Sequence, residues 1–215
     1  IVDRFAFQSS IRQRTVLHQA QRYGVDLARA ERVASYALSL YSQTQGLLHS
    51  DDGAGRQLLW AAAMLHSCGQ HINTGAYHKH SWYLIHHGEL LGYSDSEQLM
   101  VAAIARYHRR SLPKKRHEAW QLLEGREQRR RVASMALLLR LAVALDRRPQ
   151  PVVAGIQVRQ EGQAACSIRL EPMASDLDLS LERWSLEACA AAVEEAVGVR
   201  LSVLAPAQPS QPLRV

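Results

Sequence analysis

Between Ser10 and Asp146 the apolar residues recur three and four positions apart, and inside that span Leu58–Leu65 is apolar on every side. A segment apolar all round fits only a central, buried helix, and amphipathic helices must surround it. This core helix is expected over Gln57–Cys68, with Gly69 as its C-cap. Ile11, Thr15, Leu17 and Ala20–Tyr23 outline a first helix stopped at Gly24. Asp26 suits the N-cap of a second, whose apolar face runs from Leu27 through Ala30, Val33 and Ala37 to Tyr41. His49–Gly55 is polar and reads as a loop, and His78–His87 as a short helix stopped by Gly88. Ser94 with Glu97 three positions on is a capping-box pattern opening a helix to Tyr107. Pro113 breaks the chain, His117–Leu123 is a short helix closed by Gly125, and Arg126–Asp146 is the last long helix.

Past Pro149 and Pro151 the period changes. Val152–Arg159 and Ala164–Glu171 read as two strands around Glu161-Gly162, and Asp176–Glu182 as a third with Leu177, Leu179 and Leu181 on one face. A helix over Leu186–Val197, capped by Ser185, and a strand over Val199–Leu204 follow. The fold class is thus mainly α, with a small βββαβ α+β domain at the end. The boundaries expected are 1–9 as a remnant of an upstream domain, 10–149 helical, 150–204 α+β, and 205–215 a disordered Pro/Gln-rich tail. The chain starts at Ile1 rather than Met, as a piece or a processed chain would. The longest apolar run falls far short of a membrane span, and no secretory leader opens the chain. Three scattered cysteines, Cys68, Cys166 and Cys189, fit a reducing cytoplasm better than a disulfide framework.

The formal charge of +6 is concentrated. Arg106–Arg148 holds thirteen basic and four acidic residues, while the segment before it is neutral and the segment after it acidic. Such a field favours a polyanion, and the guanidinium fork suits phosphate oxygens. Arg126–Arg131 also reads as a solvated helix face. Arg140, inside an apolar stretch, is expected to pair internally or to snorkel. Seven of the ten histidines lie between His66 and His108, with few carboxylates among them, so each can equally be a hydrogen-bonded structural residue. No glycine-rich phosphate loop, nucleophile elbow or reactive cysteine setting occurs.

Leu65–Gly69, His78–Ile85, Ala105–Lys114 and Leu138–Arg147 resemble, in that order, the C-terminal region of exopolyphosphatases of the Ppx/GppA family. Arg12–Val16 and Tyr23–Asp26 are similar to it too, so the resemblance runs to about residue 204. It implies an HD-like helical domain ahead of the small α+β domain. It also implies an upstream pair of actin-like domains carrying the catalytic glutamate and phosphate loops, with Ile1–Asp3 ending their last strand. The implied activity is removal of terminal phosphate from inorganic polyphosphate, or of the 5′-phosphate from guanosine pentaphosphate, with Mg²⁺ in the complete enzyme. Of the HD-type metal ligands the first histidine would fall near Arg29, the His-Asp pair at His66-Ser67 and the later aspartate at Val143, with Asp146 one turn on. Only His66 is of ligand type in place, so no metal or cofactor is expected in this region.

The leading expectation is that this region binds polyphosphate and channels it to the catalytic domain, without catalytic residues of its own. The contacts expected are Arg106, Arg109, Arg110, Lys114, Lys115 and Arg116, with His78, His80 and His108 in support. A homodimer without membrane contact is the expected state. A metal-dependent HD-type phosphohydrolase and an Arg-rich nucleic-acid-binding module stay open as alternatives.

Overall fold

A computed structural model of the chain describes residues 11–204. The readings of 1–9 as a strand remnant and 205–215 as a disordered tail lie outside those residues. Seven helices come first: α1 Ile11–Arg22, α2 Leu27–Gln43, α3 Ala54–Leu65, α4 Tyr77–His86, α5 Asp95–Tyr107, α6 Glu118–Gln121 and α7 Gly125–Leu145. Then come β1 Val153–Gln160, β2 Ala165–Pro172, α8 Ser180–Glu187, α9 Ala190–Val197 and β3 Arg200–Val203. The protein is mainly α with a small three-stranded sheet near its end, as the periodicity implies. None of the described helices is long and apolar enough to cross a membrane.

Helix α3 is the centre: Leu58, Leu59, Met64 and Leu65 are buried, and α1, α2, α5 and α7 pack around it. The caps form as the residues suggest. The Asp26 side chain accepts from Arg29 N, and Ser94 and Glu97 exchange both bonds of a capping box. Strands β1 and β2 make an antiparallel hairpin, and β3 pairs with β2 in parallel. The edge strand β1 lies against α2, where Gln43 donates to Ile156 O at 3.0 Å and accepts from Val158 N at 2.8 Å. That side-chain amide occupies backbone groups an open edge would leave free. The sheet and the helices share one apolar core, which runs from Val16 to Val199.

Three expectations change. The α+β end is ββααβ rather than βββαβ: Asp176–Leu179 is irregular, and Ser180 begins α8. The buried positions Leu179, Glu182 and Leu186 are spaced three and four apart, a helical period. It was hidden because Glu182 is charged. Arg148 neutralises it inside the fold, with Nε 3.0 Å from Oε1. The helix expected over Leu186–Val197 is split by a turn at Ala188–Cys189.

Gly69 is not the cap of α3, which ends four residues earlier at Leu65. It lies in a tight turn, Cys68–His71, pressed on the start of α4. A Cβ there would overlap Tyr77 O and Ser81 N, and Gly69 N donates to Ser81 Oγ at 2.9 Å. Gly69→Ala is therefore expected to cost about 1–3 kcal/mol by forcing backbone apart. A thermal midpoint equal to that of the wild type would remove this reading.

Candidate functional site

Helices α3 and α5 pack together and each ends on a histidine, His66 and His108. Each ring turns back on its own helix: His66 Nδ1 is 2.7 Å from Ala63 O, and His108 Nδ1 is 2.6 Å from Ala105 O. A carbonyl only accepts, so Nδ1 carries the proton and Nε2 is left as an acceptor. Tyr77, at the start of α4, donates its hydroxyl to His108 Nε2 at 3.1 Å. The two rings meet edge to face, with centroids 5.2 Å apart. Both are buried, and burial pushes His66 down to about 4 and His108 well below its ordinary value. This is a neutral pair.

The pair borders an open cleft of about 780 Å³, lined also by Arg29, Ser67, Tyr77, Arg109, Val143 and Arg147. The positions at which the resemblance places HD-type ligands thus come together here, and what they hold is a guanidinium in place of a ligand. Arg29 Nε lies 3.1 Å from Asp146 Oδ2, and its NH2 donates to Asp146 O at 2.7 Å. Arg32 Nε lies 3.0 Å from the other oxygen, Oδ1. The buried carboxylate of Asp146 is therefore taken by two arginines. Among the described residues no three His, Cys, Asp or Glu side chains are grouped to hold a metal ion. This donor set does not fit Mg²⁺, and no step here runs through one.

What the cleft does offer is positive charge. The Arg109 guanidinium lies 4.7 Å from the centre of the Tyr77 ring, and Arg147 is exposed. Neither has a carboxylate partner among the described residues. Arg140 pairs internally, donating to Tyr107 O at 3.1 Å and Arg110 O at 2.9 Å. It thereby holds the turn that carries Arg109, in which Arg110 takes the uncommon φ of 64°.

The other expected contacts are dispersed. His108 is in the cleft wall as a neutral ring. His78 is buried, and desolvation together with the charges of Arg106 and Arg109 pushes it down to about 4. These two rings are framework under the basic surface rather than charged contacts. His80 and Arg106 are half-buried, while Arg110, Lys114, Lys115 and Arg116 are exposed. Lys115 borders a different groove, with Trp120 and Arg126. Sequence reasoning passed over Tyr77 and Arg147 as cleft residues. The available signal was that His66, His108 and Arg147 each stand at or just past the C-terminal end of a long apolar helix.

The family model described as Ppx/GppA phosphatase, domain III, matches residues 11–190. A protein of Pseudoalteromonas translucida (strain TAC 125) is 41% identical over 106 residues, covering 49% of this chain and 21% of its own length. Relatives from Vibrio vulnificus (strain YJ016) and Vibrio cholerae (strain ATCC 39541) are 33% identical over 144 residues and 32% over 146. Those matches cover 67% and 68% of this chain and 28% of each relative. All three carry the name guanosine-5′-triphosphate,3′-diphosphate pyrophosphatase. The chain spans only a fifth to somewhat over a quarter of the length of the curated relatives it matches. With most of its length covered by that family model, the chain belongs to the Ppx/GppA phosphatase family, as its domain III.

Proposed function

We propose that this domain holds the phosphate chain of a phosphohydrolase substrate in the Arg109–Arg147 cleft and passes its end to an actin-like catalytic region of the complete enzyme. The observation that carries the reading is the pair of guanidiniums without carboxylate partners, set beside a histidine pair that is neutral. With its proton on Nδ1, His66 presents an acceptor, which repels an unprotonated phosphate oxygen. The phosphates therefore seat on Arg109 and Arg147, whose forks match two oxygens at once. Arg29 stays with Asp146 and closes the inner wall. The Mg²⁺ expected for the complete enzyme finds no donor set in this cleft.

Inorganic polyphosphate and guanosine pentaphosphate both present such a chain, and the names of the relatives favour the second. Binding through phosphates releases counterions, so affinity should fall steeply with salt. The double variant Arg109→Glu/Arg147→Glu is expected to weaken polyphosphate binding by about a hundredfold at low salt and to flatten its salt dependence. Titration calorimetry with polyphosphate at two salt concentrations reads both. Affinity and slope unchanged from the wild type would end this reading. Tightly bound metal at one per chain, with turnover of a generic phosphodiester, would favour the metal-dependent alternative.

A further inference from the structure

The first turns of α7 carry Arg126, Arg129, Arg130 and Arg131, at the end where the helix dipole already favours anions. Among the described residues only Arg131 of these is neutralised, by Asp51, Asp52 and Glu127. Arg126, Arg129 and Arg130 have no carboxylate partner among the described residues. With Lys115 they line an open groove of about 900 Å³ that shares no residue with the cleft. Among the described residues no acidic side chain lines it, and Ala133, Ala196 and Val197 add small apolar surface. Three unpaired like charges at the positive end of a helix repel one another and the dipole. Such a local violation, left uncompensated, marks a site for an anionic ligand.

The wall of the groove narrows the class of ligand. Trp120 forms it, packed edge-on against buried Tyr107 with centroids 6.2 Å apart. Arg129 Nε donates to Trp120 O at 3.4 Å, so the backbone that carries the indole is held against α7. A bare phosphate chain has no use for an aromatic wall or an apolar lining. A nucleobase has a π-face for the one and apolar edges for the other. The volume also lies within the range of about 300–1,000 Å³ usual for small-molecule sites.

We propose that this groove is a second ligand site, separate from the cleft, and that it binds a nucleoside polyphosphate with its base on Trp120 and its phosphates on Arg126 and Arg130. Trp120→Phe keeps a stacking face, whereas Trp120→Ala removes it.

The test is calorimetric titration of the 215-residue chain carrying Arg109→Glu/Arg147→Glu, which silences the cleft, with GTP and, separately, with inorganic tripolyphosphate at low salt. GTP is expected to bind about tenfold tighter than tripolyphosphate. Arg126→Glu/Arg130→Glu changes two exposed residues and leaves the core untouched, and it is expected to weaken GTP binding at least about tenfold. Trp120→Ala is expected to do the same, while Trp120→Phe leaves GTP binding near the value of that cleft-silenced background. Equal affinity for GTP and tripolyphosphate would overturn the proposal, leaving only an anion patch. So would GTP binding that is present in the wild type and lost in the cleft-silenced background, an outcome that would place the nucleotide in the cleft. Should Trp120→Ala fail to fold, the arginine pair still decides.

Discussion

Acidification from pH 7 to pH 5 is expected to lower the thermal midpoint of the chain by roughly 10 °C, with His66 and His108 carrying much of the loss. In the fold, burial keeps His66 neutral down to about 4, against an ordinary histidine value of 6.5. Between those values the unfolded chain takes up a proton that the folded chain refuses. Stability is therefore full above the ordinary value and falls as the pH drops toward the folded one. At pH 5 this amounts to about 2 kcal/mol for His66, and His108, which burial also holds neutral, adds to it in the same direction. The Ala63 carbonyl and the nearby Asp146 carboxylate pull His66 the other way, and the Ala105 carbonyl does the same for His108, but desolvation is the largest effect on both. Scanning calorimetry at pH 7, 6 and 5 measures the slope. His66→Gln keeps a donor for Ala63 O and removes one titrating group, so it should be less stable at pH 7 and lose part of the slope. A midpoint flat between pH 7 and pH 5 would contradict the neutral pair.

That result bears on the cleft. If the histidines stay neutral at physiological pH, its attraction for anions comes from arginine alone and does not change with pH across that range. The affinity for a phosphate chain should then track salt, not protonation, until the fold itself begins to fail.

The helical frame was legible because its signals are local. Leu58–Leu65 could only be a buried helix, and Ser94 with Glu97 specified a cap whose two bonds both form. The α+β end was legible only as far as its hairpin. In Asp176–Glu182 the alternation of leucines competed with a helical period that included a buried glutamate, and the ion pair with Arg148 settled it. The site was less legible, since Arg29, His66, His108 and Arg147 come from four separate stretches that meet where helices end. The arginine field shows the limit most clearly. Charge density along the chain treats Arg126 and Arg131 alike, yet Arg131 is locked among three carboxylates and Arg126 faces an open groove. Only geometry separates a structural cation from one left for a ligand.

Asp51→Ala is expected to cost about 3–5 kcal/mol, because it breaks a buried pair by removing one partner. Asp51 precedes α3, and its carboxylate meets four donors. Arg131 Nε lies 2.7 Å from Oδ1, and Tyr41 Oη and Gly55 N each lie 2.7 Å from Oδ2. Gly53 N adds a fourth bond at 3.1 Å. Burial pushes the Asp51 carboxyl up, but the bonds from Arg131, Tyr41 and Gly55 outweigh it and hold the group below its ordinary value. Its contribution is therefore present above that value and lost as the pH falls through the folded one, a window well below that of the histidines. The same contact drives the Tyr41 hydroxyl up to about 12, after desolvation. Without the carboxylate, Tyr41 is left with a buried donor lacking a partner, and the start of the central helix loses two backbone anchors. Asp146 is as deeply buried, but its arginines are more exposed, 43% and 22% against 13% for Arg131, so its loss should cost less. Asp52, on the same arginine but 70% exposed, is the control, and Asp52→Ala should cost no more than about 1 kcal/mol. Denaturant unfolding of the two variants compares them directly. If Asp51→Ala cost no more than Asp52→Ala, the loop before α3 would be held by packing rather than by this carboxylate. If instead the gap appears, Asp51→Asn should recover part of it, since an amide oxygen still accepts from Gly55 N and Tyr41 while its NH₂ faces Arg131 unfavourably.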